Sequence, residues 1–159
     1  MSVFIRRAAP GDAAAITAMI HDLALFERAP DQCTVVETQI GSALFGDSTT
    51  LRAHVAEVDG EVAAMALWFL NFSTWDGAEG IYLEDLFVRP QFRRLGLGRA
   101  MISTLARECV AGGYTRLSWA VLDWNVNAIA LYDSVGGKPQ TEWITYRVSG
   151  SDLSALAES

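Results

Sequence analysis

Apolar and polar positions change period along this chain, and the changes mark its elements. Residues 2–8 alternate around Val3 and Ile5, as a strand with one buried face does. Pro10-Gly11-Asp12 turns the chain into a helix. Ile16, Met19, Ile20 and Leu23 then recur at helical spacing to about Phe26, and Ala29-Pro30-Asp31 ends the run. Thr34 followed by Glu37 has the form of a capping box for a second helix over 35–44. Residues 51–58 and 61–72 are strands on either side of an Asp59-Gly60 hairpin turn, the second unusually long and apolar. Residues 73–80 read as a loop carrying Trp75, and 81–88 as another strand. Leu97, Met101, Leu105 and Cys109 step by four, which predicts a helix over about 96–111, closed by Gly112-Gly113. A strand over 116–122, a short helix over 125–135 closed by Gly136-Gly137, and a last strand over 143–148 complete the pattern. The tail from Ser151 is expected to be a short helix or disordered.

A meander of strands followed by two β-α units predicts one α+β domain over 1–159, built on a single mixed sheet. Composition narrows the function. At 51% hydrophobic and 19% charged residues, the chain has enough apolar surface for a core. A net charge of −7 argues against a nucleic-acid partner, which selects for a basic face. Acidity also suits a cationic small substrate through steering, although it serves solubility equally well. Cys33 and Cys109 lack metal-type spacing and read as reduced thiols, Cys109 as a core residue; no metal site is expected. Arg6-Arg7 before an alanine-rich stretch has the look of an export signal, but Pro10-Gly11-Asp12 interrupts it. The apolar run 13–20 is too short to span a bilayer, so no membrane association and a cytoplasmic protein are expected.

Chemistry concentrates in Leu-Glu-Asp-Leu-Phe-Val-Arg-Pro-Gln-Phe-Arg-Arg-Leu-Gly-Leu-Gly-Arg, residues 83–99. Here a strand runs through an arginine-rich loop into a helix. Free backbone N–H groups and the helix dipole make such a start an anion site, and Gly96 and Gly98 keep side chains out of the way. A dinucleotide fingerprint is disfavoured because Met101 stands where its third glycine belongs, and a Walker A loop lacks its Gly-Lys-Ser/Thr. A plain structural turn is the remaining alternative.

The wider pattern favours the anion site. Arg93-x-x-Gly96-x-Gly98, preceded by Asp85-Leu86-Phe87-Val88 and followed by Asn125-x-x-Ala128-x-x-Leu131-Tyr132-x-x-x-Gly136, resembles the two signatures of the GNAT superfamily of N-acetyltransferases. Within it, Leu25-Phe26-Glu27, Tyr82 to Val88, and Asp123-Trp124-Asn125 leading to Tyr132 resemble the diamine and polyamine subgroup, which includes the spermidine/spermine and thialysine enzymes. The chain departs from that subgroup at Asn127, where a proline is usual, and at Val126, where an acid is usual.

The resemblance implies a sheet of about six or seven strands with about four helices, acetyl-CoA as cosubstrate, and a homodimer. It implies that backbone of Leu86, Phe87 and Val88 holds the pantetheine arm. Arg93, Arg94, Leu95, Gly96, Leu97, Gly98 and Arg99 hold the diphosphate, with Asn125 and Ala128 along the arm. Tyr132 is then the general acid, because a phenol of pKa about 10 stays protonated at neutral pH. Glu84 is the candidate base, directly or through water. Glu84 and Asp85 alternate across the strand, so one can face the cleft while the other is a structural acceptor, and the resemblance puts Glu84 in the cleft. Phe26, Glu27, Trp119 and Glu142 are the remaining candidates for the acceptor side. The expected reaction is acetyl transfer to a primary amine of a small molecule: a diamine, polyamine or lysine-like amino acid. The alternatives are another acceptor (a protein N-terminus, an antibiotic or an arylamine) and a non-catalytic acyl-CoA-binding module.

Overall fold

The hairpin turn at Asp59-Gly60 has both residues at positive φ, 50° and 83°, as the right-handed twist of its flanking strands demands. It joins β2 (Arg52–Val58) to β3 (Glu61–Ser73) at the centre of the sheet. In a computed structural model describing residues 1–159, the further elements are β1 (Val3–Arg7), α1 (Ala13–Phe26), α2 (Glu37–Phe45), β4 (Ala78–Val88), α3 (Leu97–Gly112), β5 (Leu117–Ser118), α4 (Val126–Ser134) and α5 (Gly150–Ala157). The sheet order is β1-β2-β3-β4-β5, antiparallel except for the parallel β4–β5 pair.

Both faces of the sheet are covered, which explains the long apolar run of β3. One face packs Ala64, Ala66, Trp68, Ile81 and Leu83 against Leu97, Met101, Leu105 and Cys109 of α3. The other packs Val55, Met65, Leu67 and Phe87 against Ile16 and Met19 of α1 and Ile40 and Leu44 of α2. Each fully buried aliphatic side chain contributes roughly 1.5–3 kcal/mol, so α3 is held by its stripe rather than by helix propensity. Arg6 ties the first strand to its surroundings. Its guanidinium donates to both oxygens of buried Asp12, at 2.7 and 3.0 Å, and to Glu57 of β2. Arg7 donates to Glu108 of α3 at 3.0 Å. The Arg6-Arg7 pair is therefore part of the fold's fastening. Cys33 and Cys109 are both free thiols, and Cys109 is buried.

Four expectations are corrected. The sheet has five strands, not six or seven, with five helices rather than four. The expected strand 116–122 shrinks to Leu117–Ser118, because a strand needs a ladder partner and β4 pairs with it only at Ile81 and Tyr82. Residues 143–148 join no strand, despite their strand-like sequence, because residues 144–148 find no backbone partner. The second helix is capped two residues later than expected, at Val36, whose N–H donates to Gln39 at 3.0 Å.

Candidate active site

Two parting strands open the site. β4 stays paired to β3 as far as Val88 but keeps β5 only at Ile81 and Tyr82. From Leu83 to Val88 its other edge has no strand partner, so the backbone of Leu86, Phe87 and Val88 faces a cleft. The Arg93 guanidinium donates to the Val88 carbonyl at 3.1 Å.

β4 then leads into the loop before α3. Arg94 and Gly96 take positive φ, 65° and 76°, and Gly96 caps the helix in the left-handed conformation. No backbone N–H from residue 94 to 99 has a partner in the chain. That row of free donors, at the positive end of a 16-residue helix and flanked by Arg93, Arg94 and Arg99, is the arrangement that binds a diphosphate. The two glycines differ in purpose. A Cβ on Gly96 would touch nothing, so its requirement is the positive φ. A Cβ on Gly98 would lie 3.1 Å from Leu131 Cδ2, so its requirement is close approach to α4. Arg93 does not extend along this loop; its guanidinium packs 5.6 Å from the Phe26 ring centroid and 5.8 Å from that of Phe87. Arg99 donates to Ser134 on α4 at 3.2 Å.

The opposite wall is α4. Asn125 is its N-cap, its side chain accepting from the Ala128 N–H at 3.3 Å. Tyr132 is half-buried with its ring 5.1 Å from that of Trp119. Burial, and then Glu27, push its hydroxyl above the ordinary phenol range.

The acidic residues are arranged differently from the alternation expected. Leu67 pairs with Asp85 but Trp68 pairs with Leu83, so Glu84 is the extra residue of a β-bulge. The bulge cancels the alternation, and Glu84 and Asp85 line the same cavity. This cavity, of about 330 Å³, is walled by Ile20, Cys33, Val35, Ile40, Leu51 and Leu67. Asp85 is not a structural acceptor, since no side chain donates to it. Burial, with Glu84 and Glu27 adding repulsion, pushes its carboxyl up to about 6. Glu27 sits at the end of α1 and is also raised, by burial. None of Glu27, Glu84 and Asp85 is in an ion pair.

The structure thus brings Phe26, Glu27, Glu84, Trp119 and Tyr132 around the cleft with the 94–99 loop, Asn125 and Ala128. It leaves Glu142 out: that residue is in solvent, beyond the last sheet strand. The sequence does not place two residues that lie at the cleft. Alternation puts Asp85 on the far face, because a bulge leaves no mark on the residue pattern. Trp124 lies 5.9 Å from Phe26, ring to ring, and 4.0 Å below the Arg28 guanidinium carbon, closing the cleft mouth between α1 and α4. Only its position beside Asn125 hinted at this.

Residues 17–136 match the model of the acetyltransferase (GNAT) family. A thialysine N-epsilon-acetyltransferase of Caenorhabditis elegans is 39% identical over 152 residues, covering 94% of this chain and 93% of its own. An L-ornithine N5-acetyltransferase of Arabidopsis thaliana is 28% identical, covering 96% and 86%. Among solved structures, an integron cassette protein of V. cholerae superposes with a TM-score of 0.83 over the whole chain and 99% of its own, at 24% identity.

Proposed function

The chain belongs to the acetyltransferase (GNAT) family, and from that premise we propose that its acceptor is the primary amine of a small molecule carrying a second cationic group, such as a diamine, a polyamine or a lysine-like amino acid. One observation carries this reading: three carboxylates, Glu27, Glu84 and Asp85, meet at the cleft with no cation of the protein to neutralise them. Burying carboxylates without a partner is costly, and a bound ammonium offsets that cost. The substrates named for the C. elegans and Arabidopsis relatives, thialysine and L-ornithine, are amines of this kind.

Acetyl-CoA supplies an acyl group activated as a thioester. The chain has the donors to hold it: the free N–H groups of Arg94 to Arg99 for the diphosphate, and the open edge at Leu86, Phe87 and Val88 for the pantetheine arm. Asn125 and Ala128 line the arm from α4. Tyr132 keeps its proton on Oη at neutral pH, since its surroundings raise an already high pKa, and holds it for the departing sulfur. Glu84, solvent-exposed at the bulge, takes the proton of the incoming ammonium and passes it to water. Asp85 fixes the ammonium from the cavity side, and Glu27 binds the distal cation. The acting form is a cytoplasmic homodimer.

Incubation of the protein with acetyl-CoA and a panel of amines, following free CoA, tests the acceptor class. Diamines, polyamines or lysine analogues should turn over at least tenfold faster than monoamines of equal length, because one missing charge contact is worth more than about 1.4 kcal/mol. Equal rates with monoamines, or no turnover with any dication, would remove the assignment.

A further inference from the structure

The end of α1 carries a residue that local structure does not favour. The Ala29 N–H donates to the Ala24 carbonyl at 3.0 Å, and the Arg28 N–H to the Leu25 carbonyl at 3.1 Å. This pair of bonds closes a helix with the residue after its cap in the left-handed region, where glycine is the usual occupant. Here that residue is Arg28, at φ 64°. The conformation is unfavourable for any residue with a Cβ, and such strain gathers at sites where the side chain is used.

The Arg28 side chain stands at the cleft mouth. Its guanidinium carbon rests 4.0 Å from the Trp124 ring centroid, and Trp124 lies beside Asn125, the N-cap of α4. A guanidinium seated on an indole is held in place with its N–H edge still available. Arg28 forms no ion pair. Neighbouring arginines are already engaged: Arg93 donates to the Val88 carbonyl and Arg99 to Ser134.

Glu27, the C-cap of α1, is half-buried, and its charge acts on both Asp85 and Tyr132. Glu27 thus looks toward the reacting end of the cleft and Arg28 toward its mouth. Consecutive residues of opposite charge stand there without pairing with each other. An α-amino acid presents the complementary pair of charges on a single carbon.

We propose that Arg28 binds the α-carboxylate of the acceptor while Glu27 takes its α-ammonium, so that a basic α-amino acid is the preferred acceptor and a diamine or polyamine a poorer one. This rests on the acceptor class proposed above and narrows it. The terminal amine of the amino acid's side chain is the nitrogen that is acetylated, reaching past Glu27 toward Glu84, Asp85 and Tyr132. Selection works in both directions. A guanidinium–carboxylate contact is charge-assisted and matched in shape. A diamine leaves the guanidinium unmatched, and the further ammonium of a polyamine meets it as like charge.

Initial rates with L-ornithine against putrescine, and with L-lysine against cadaverine, isolate the carboxylate, because each diamine lacks that group alone. In the wild-type chain kcat/KM should favour the amino acid by at least about tenfold in the better pair. Arg28→Gly should cut that preference to about twofold or less, mainly by raising KM for the amino acid. Glycine takes a φ of 64° freely, so the end of α1 survives this substitution. Equal or faster turnover of the diamines by the wild-type chain would overturn the carboxylate site and leave the wider acceptor class standing. An unchanged preference in Arg28→Gly would overturn the role of Arg28; a fall in CoA affinity in its place would give the guanidinium to a phosphate of the coenzyme. No turnover with any of these amines would overturn both the inference and the acceptor class on which it rests.

Discussion

Tyr132 and Asp85 show at the level of single residues how surroundings assign chemistry. Both are raised by burial, with opposite consequences. For a phenol the shift preserves the proton, so Tyr132→Phe should lower kcat about 100-fold or more while leaving CoA affinity within about twofold, measured by turnover and calorimetry. For a carboxylate the shift stores unfavourable charge. Asp85 binds its proton more tightly folded than unfolded, so its favourable contribution is present below the ordinary value of 3.8 and is lost as pH rises through about 6. Asp85→Asn should therefore raise the stability of the free protein at pH 8 by on the order of 2 kcal/mol, read by denaturant unfolding. The same substitution should raise KM for the amine, because the ammonium loses its partner. A variant less stable than wild type at pH 8 would contradict the origin given for the shift.

Elements place these residues, and the connection from β4 to α3 matters most. Gly96 supplies a left-handed cap that aims the N–H row of residues 94–99 outward. Gly96→Ala meets no steric obstacle but must hold φ near 76°, which costs about 1 kcal/mol. The expected result is a small loss of melting temperature with a weakening of CoA binding larger than that loss accounts for. Equal affinity in calorimetry would show that the loop conformation is not what binds the diphosphate. The bulge at Glu84 acts by the same logic: one extra residue in β4 turns two carboxylates into one cavity.

Across the whole molecule, a cluster remote from the cleft joins β1, β2, β3 and α3. Trp68 Nε1–H donates to His54 Nδ1 at 3.1 Å, and His54 Nε2 lies 3.3 Å from Glu108, which also accepts from Arg7. With Nδ1 accepting, the ring carries its proton on Nε2 and is neutral. Burial first, then Arg7, hold its pKa below the ordinary 6.5. The unfolded chain therefore binds a proton that the folded chain refuses, so the stabilisation is complete above pH 6.5 and declines as pH falls below it. Asp85 acts in the opposite sense up to about 6, which flattens the wild-type profile. In the Asp85→Asn background, unfolding free energy should fall between pH 6.5 and 5 with a slope of at most about 1.4 kcal/mol per pH unit. His54→Phe should remove that slope, and an unchanged slope would assign it to another group.

What the sequence determined by itself was whatever depends on near neighbours in the chain. The period of Leu97, Met101, Leu105 and Cys109 fixes α3, Asp59-Gly60 fixes the hairpin, and Gly96 after a strand fixes the left-handed cap that opens α3, because each is a local steric or hydrogen-bonding requirement. The two family signatures in order reflect the same local needs: a cap at Gly96 and a cap at Asn125. Only the tertiary structure decided the rest. Whether 116–122 and 143–148 become strands depends on a partner ladder, which no segment carries within itself. Whether Asp85 joins Glu84 depends on the register between β3 and β4, and a single unpaired residue in that register outweighs the alternation written in the chain.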